Sequence, residues 1–280
     1  MQYDLIRLVL VSREQTSLFE RRDHTGEPLS RERWLRHIFA AEITFWHRAT
    51  EFHYVPHPDL SGAFIVGQIG RQSRIIENEP PESGFRETVR EPWHAANVII
   101  DPTHHLDGQK IAFETKAHVG QALSIIKSLS NTINERPDEP YVIEANAIVN
   151  PETFWEFERE NRGDITSITF DLIAPNMFGI RDDMAREMAG FRDNEKARKV
   201  SISLQNEDGL KLDDDRVRQS VQYAVDGGGE IKAKTKKRKR FSSSTNGKRI
   251  PVDVPKEVEF QSLSATIALS VSRLFGGDHD

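Results

Sequence analysis

The 280 residues contain no cysteine. Disulfide scaffolds, cysteine-ligated zinc and thiol nucleophiles are thereby excluded. No apolar run approaches the ~20 residues a membrane helix requires. The apolar stretch at 5–11 is short, and Arg7 interrupts it, so it does not read as a signal peptide. A soluble cytoplasmic protein without membrane partners is the expectation. The phosphate-cradling and nucleophile signatures are missing as well: there is no Walker loop, no Gly-x-Gly-x-x-Gly and no Gly-x-Ser-x-Gly elbow. Gly227-Gly228-Gly229 closes a helical pattern instead of opening one, so it does not present a helix N-terminus to an anion.

Charge is present in quantity but is unevenly placed. The chain holds 38 Lys and Arg against 44 Asp and Glu, a net charge of −6. Within 230–249, however, stand Lys232, Lys234, Lys236, Lys237, Arg238, Lys239, Arg240, Lys248 and Arg249, with Glu230 the single acid. That segment carries +8 and leaves −14 on the remainder. An acidic body with one concentrated basic projection repels polyanions everywhere except there, which is a statement about partners.

Periodicity supports an α+β fold with mixed sheets. Residues 3–12 are nearly continuously apolar and read as a buried strand. Ser30 caps a helix carrying Trp34, Leu35, Ile38 and Phe39. Strand-like patterns follow at 43–45, 52–55 and 63–66, and 77–92, with Pro80, Pro81 and Gly84, reads as an exposed loop. Two strands at 97–101 and 110–116 flank an Asp-Gly turn. A helix at 120–134 and a strand at 141–149 complete a β-α-β-β-β-α-β order that suits a ferredoxin-like N-terminal half.

From 150 onward, helix and strand alternate. Helices open at Pro151, Asp182-Asp183 and Asp213-Asp214-Asp215, with strands at 165–173 and 199–204. Residues 230–236 and 249–254 are strand-like, with Asn246-Gly247 between them, so the basic residues crowd the distal half of one long β-hairpin over 230–254. Residues 263–274 satisfy both a strand and a helix pattern. The division this suggests is an N-terminal α+β domain at 1–149 and a C-terminal domain at 150–280.

Val98-Ile99-Ile100-Asp101-Pro102, a histidine two or three residues on, and Ile111-Ala112-Phe113-Glu114-Thr115-Lys116 resemble one stretch of an uncharacterised bacterial family of similar length. Segments 165–176, 199–203 and 213–229, and the glycine turn followed by Pro251, resemble it too, from about residue 97 onward. The resemblance implies a bacterial cytoplasmic protein in a phage-defence-like setting. It hands over no catalytic residues.

Three constellations carry chemistry. Asp101, Asp107, Glu114 and Lys116 have the order of a restriction-type magnesium nuclease, in which carboxylates hold the metal and lysine orients water. Strand period puts Glu114 and Lys116 on one face; the alternative is a turn plus a solvated face. His104, His105 and His118, with His53 and His57, have no zinc spacing and read as loop histidines, so no metal site is assigned.

The basic segment is the third. Lysines and arginines opposite phosphates release counterions, and about six contacts predict a roughly thousandfold loss of affinity between 50 and 200 mM salt. Phe241 offers a stacking surface beside it. The leading expectation is a non-enzymatic nucleic-acid-binding protein without cofactor, in a bacterial antiviral system alongside a second defence protein or further copies of itself. The alternatives are a magnesium-dependent nuclease and a protein-interaction or oligomerisation subunit.

Overall fold

A computed structural model describes residues 1–13, 29–60, 62–103, 108–174, 183–253 and 263–275. In the first half the chain runs β1 (Gln2–Ser12), α1 (Arg31–Ile38), β2 (Ile43–His47), β3 (Thr50–Pro56), β4 (Ile65–Gln72), β5 (Ile75–Asn78), β6 (Glu87–Arg90), β7 (Trp93–Asp101), β8 (Gln109–Glu114), α2 (Ala122–Asn134) and β9 (Tyr141–Ala147). The second half runs α3 (Pro151–Glu160), β10 (Ile165–Ile173), α4 (Asp183–Glu195), β11 (Lys199–Gln205), α5 (Asp215–Tyr223), β12 (Gly229–Thr235), β13 (Arg240–Ser242), β14 (Arg249–Pro251) and α6 (Leu263–Phe275). The class is α+β, as the periodicity indicates.

Strand β1 is apolar almost throughout because both of its faces are covered. Ile6, Leu8 and Leu10 join the larger core, while Tyr3 and Leu5 join a smaller one beneath α6. Both of its edges are paired too. One edge takes β8, and the other is shared by β14 at Gln2–Asp4 and β9 at Ile6–Ser12. The resulting eight-stranded sheet has the path β14-β1-β8-β7-β4-β3-β2.

All of its pairs are antiparallel, and it has eight strands where the β-α-β-β-α-β order of a ferredoxin-like half supplies four. The register sets His47 opposite Thr50, so a tight turn joins β2 to β3. The β2–β3 turn places Arg48 and Ala49 at positive φ, a primed-turn conformation reached without the glycine or asparagine that signals it in sequence. The segment read as an exposed loop at 77–92 contains the β5–β6 hairpin, with its prolines confined to the tip.

The remaining strands form a second sheet of order β11-β10-β12-β13. Its inner side chains, among them Ile168, Phe170, Leu172, Ile231, Ala233 and Phe241, enter the same large core as β1 and α2. Local capping agrees with the sequence: Ser30, Asn150 and Asp214 side chains accept the N–H of Arg33, Glu152 and Val217. The ambiguous segment near the C-terminus is helical, and α6 lays Ile267 and Ser270 against the first sheet.

The long hairpin expected over 230–254 does not form. β12 pairs with β13 through a tight turn at 236–239, with Lys232 opposite Ser242 and Lys234 opposite Arg240. β14 leaves for the first sheet and pairs with β1. The reason is inward burial of Phe241 and Ser243: their side chains are satisfied in the core only if the chain turns back directly after Thr235.

Candidate nucleic-acid interface

Alternation along β10, β11 and β12 sends apolar side chains into the core and short polar ones outward. The outward face is therefore read row by row from the registers. Asp171 lies between Ser201 and Glu230, Thr169 between Ser203 and Lys232, and Ser167 between Gln205 and Lys234, which stands beside Arg240. One end of this open face is acidic, the middle is hydroxyl-rich, and the other end is basic.

At the acidic end Lys232 is fully engaged. Its Nζ lies 2.9 Å from Asp171 and 3.2 Å from Glu230. Burial alone would raise the Asp171 carboxyl, but hydrogen bonds from Ser201 and Lys232 outweigh it and hold the group below its ordinary value. Glu230 follows the same pattern: burial opposes ionisation, and the hydroxyls of Ser244 and Ser242 with Lys232 overcome it. Lys232 is raised, chiefly by its hydrogen bond to Asp171.

Depressed carboxylates stabilise the fold above the ordinary carboxylate range, about pH 4, and lose that contribution as pH falls through and below it. The raised lysine contributes below about pH 10.5 and loses its contribution above that. With Lys232 half exposed, screening limits the pair energies. Lys232→Met is expected to lower stability by about 1 kcal/mol at pH 7, with the gap to wild type closing near pH 2. Urea titrations at the two pH values check this; a gap that persists in acid would assign the loss to packing.

At the other end lies the β12–β13 turn. The Arg238 and Lys239 backbone N–H groups donate to the Thr235 carbonyl and hydroxyl, and Arg238 takes positive φ. Folding does not leave all nine cations free. Lys236 donates to the carbonyls of Gly163 and Asp208, Lys237 pairs with Asp164 at 3.1 Å, and Arg249 pairs with Asp4 at 3.0 Å on the first sheet. Lys248 follows the chain away from the turn toward that sheet. Lys234, Arg238, Lys239 and Arg240 are exposed, and their side chains make no ion pair among the described residues. Phe241, expected to stack beside them, is only 5% exposed and packs against Phe154 and Phe157 at ring-centroid distances of 5.4 and 5.5 Å. Strand period turns it inward opposite Ala233.

The nuclease constellation is not brought together. Glu114 and Lys116 do share a face and pair at 3.1 Å, but Glu114 is 3% exposed and also accepts the backbone N–H of Asn97 at 3.0 Å. Lys116 donates in addition to the Ala95 carbonyl. Asp101 stands opposite Lys110, four residues along β8 from Glu114. That is about 13 Å, too far for one metal, whose oxygen ligands lie at about 2.0–2.6 Å. Asp101 instead accepts from the backbone and hydroxyl of Thr103. Asp107, His104 and His105 lie outside the described residues. Among the described residues no group of three or more His, Asp or Glu is placed to hold a metal ion.

The other histidines sit in structural contacts. His53 bridges Thr44 and Glu51, His57 contacts Gln68 at 3.1 Å, and His118 stacks on His94. Sequence reasoning missed the hydroxyl rows of β10 and β11, although the alternation of Ser167, Thr169 and Asp171 with Ile168, Phe170 and Leu172 carried the signal. It also missed the β5–β6 arm, which exposes Ile76, Phe85 and Val89 and bears five glutamates against two arginines over 75–91.

Fold and surface together define an α+β protein of two larger antiparallel sheets and a two-stranded arm among the described residues, the four-stranded sheet presenting a polar face that ends in a basic turn. A family model described as a domain of unknown function, DUF4747, matches residues 69–269. The match spans well over half of the chain, takes in the second sheet and its basic turn, and begins within β4, earlier than the resemblance seen from residue 97. The chain belongs to that family. No curated protein and no solved structure matches it. Among the described residues no helix is long and apolar enough to cross a membrane.

Proposed function

We propose that the protein binds nucleic acid, using the β12–β13 turn and the adjoining rows of the second sheet to hold phosphates. One observation carries the reading: Lys234, Arg238, Lys239 and Arg240 converge at one end of a sheet, exposed and without internal counterions among the described residues. Their charge is available to an external anion, whereas Lys232, Lys237 and Arg249 are already matched by carboxylates. Ser167, Thr169 and Ser203 supply neutral hydroxyl donors alongside, suited to backbone oxygens rather than to a particular base.

Four contacts in place of about six lower the expected salt sensitivity. Affinity should fall on the order of a hundredfold between 50 and 200 mM salt. The test is binding of labelled single- and double-stranded DNA and RNA across that series, in wild type and in a variant with Lys234, Arg238, Lys239 and Arg240 changed to Glu. Loss of most of the binding together with its salt slope is the expected outcome. Binding that survives the four changes refutes the assignment. Absence of nucleic-acid binding in wild type would turn attention to an acidic protein surface, of which the β5–β6 arm of a second copy is one example.

A further inference from the structure

A cavity of about 360 Å³ lies between α3 and α5, within the size range of small-molecule sites. Its lining combines Trp155 and Leu212 with Arg159, Arg162, Arg218 and Gln222. Glu158 and Asp213 also reach it, but each is matched: Glu158 by Arg162 at 3.3 Å, and Asp213 by Lys211 at 3.5 Å. Arg159 is held by Glu152 at 3.3 Å. The Arg218 guanidinium makes no hydrogen bond or ion pair among the described residues, so the lining carries one uncompensated positive charge beside an indole and a leucine side chain.

The cavity also adjoins the basic turn. Arg162 in its lining precedes Gly163, whose carbonyl accepts from Lys236 Nζ, and Asp164, which pairs with Lys237. The backbone N–H of Lys236 donates to the Asp164 carbonyl at 2.8 Å. A strand whose phosphates lie on the turn thus passes directly beside a hole with an aromatic wall and a free guanidinium.

We propose that this cavity is a nucleotide subsite of the same interface, taking one nucleoside monophosphate unit with its base against Trp155 and its phosphate at Arg218. The inference rests on the nucleic-acid reading of the neighbouring turn. An aromatic wall accepts any base through its π face, and an unpaired guanidinium forks onto phosphate oxygens. The polar rim of Gln222 and the arginines keeps the mouth hydrated, which suits a charged ligand over a purely apolar one.

Calorimetric titration of the full chain with AMP and with adenosine tests it. AMP should bind about tenfold or more tightly than adenosine, as expected for a charge-assisted contact. Arg218→Gln, at an exposed position where folding is not at stake, should abolish that preference, and Trp155→Ala should weaken both ligands. A 5′-phosphorylated thymidine 12-mer that displaces AMP better than its 5′-hydroxyl counterpart identifies the bound unit as a strand end. Equal displacement identifies it as an internal nucleotide. AMP binding that neither strand displaces overturns the subsite, because the cavity then serves a free nucleotide. Wild type that binds the 12-mer through the turn but shows no preference for AMP, or a preference unmoved by Arg218→Gln, overturns the subsite alone. Wild type that binds neither the 12-mer nor AMP overturns the subsite, and overturns the nucleic-acid reading with it when labelled duplex DNA and RNA also fail to bind.

Discussion

Lys116→Met is expected to destabilise the protein by about 3 kcal/mol, the lower part of the range for breaking a buried ion pair by removing one partner. The two halves of this pair are unequally placed. Glu114 is 3% exposed at the side chain and Lys116 is 42% exposed. Removing the lysine strands a carboxylate in the sheet with the Asn97 N–H as its remaining hydrogen-bond donor among the described residues. Removing the charge from the other side with Glu114→Gln leaves an ammonium that can turn to water while still reaching the Ala95 carbonyl, and should cost about 1 kcal/mol. Urea unfolding of both variants checks the order, and a larger loss for Glu114→Gln would refute it. Neither variant should alter binding of labelled DNA or RNA, since both groups brace the first sheet away from the basic turn.

Gly229→Ala is expected to cost a similar amount, about 3 kcal/mol, as overpacking against something that cannot yield. A Cβ there would collide with the Asp171 carbonyl and lie 2.9 Å from Leu172 Cα. Both are backbone atoms of β10, the strand β12 must pair with. The substitution therefore pries apart the pairing that carries Lys234 to the open end of the sheet, and nucleic-acid affinity should fall with stability. Gly62 provides the control. No described residue stands within 4 Å of a Cβ at that position, and Gly62→Ala should be neutral or stabilising by a few tenths of a kcal/mol. Equal thermal midpoints for the two variants would remove the steric account.

Much of the secondary structure was legible because its causes are local. The Asn150-Pro151-Glu152 start of α3 and the Asp214 cap of α5 lie within one helical turn of the groups they satisfy. The two-residue period of β10 is written in its own nine residues. The 263–275 helix was ambiguous because its apolar spacing fits two periods, and what decides is that α6 covers Tyr3, Val66 and Ile99 of the first sheet. The turn at Arg48-Ala49 carried no glycine signal and is held by the flanking register of β2 with β3.

The candidate interface was legible only as a density of charge. Reading 230–249 identified a basic segment but treated its nine cations as equivalent. Lys237 meets Asp164, Lys232 meets Asp171 and Arg249 meets Asp4, partners 61 to 245 residues away in the chain. No local pattern encodes those pairings, since they follow from which strands lie side by side. The pairing of Arg218 with Trp155 was not legible for the same reason, since they lie on different helices that only packing brings to one cavity.

Composition, period and caps by themselves determined that this chain builds an α+β core from strands and amphipathic helices, and that its positive charge is concentrated near residue 235. These properties depend on neighbours within a few positions, so the order of residues is enough to set them. Tertiary structure alone decided that β13 and β14 part company, that Glu114 is sealed beneath a lysine, and that Lys234, Arg238, Lys239 and Arg240 are exposed without an ion pair among the described residues. The physical reason is that neutralisation and burial depend on distance in space, and strand register sets that distance between residues remote in the chain.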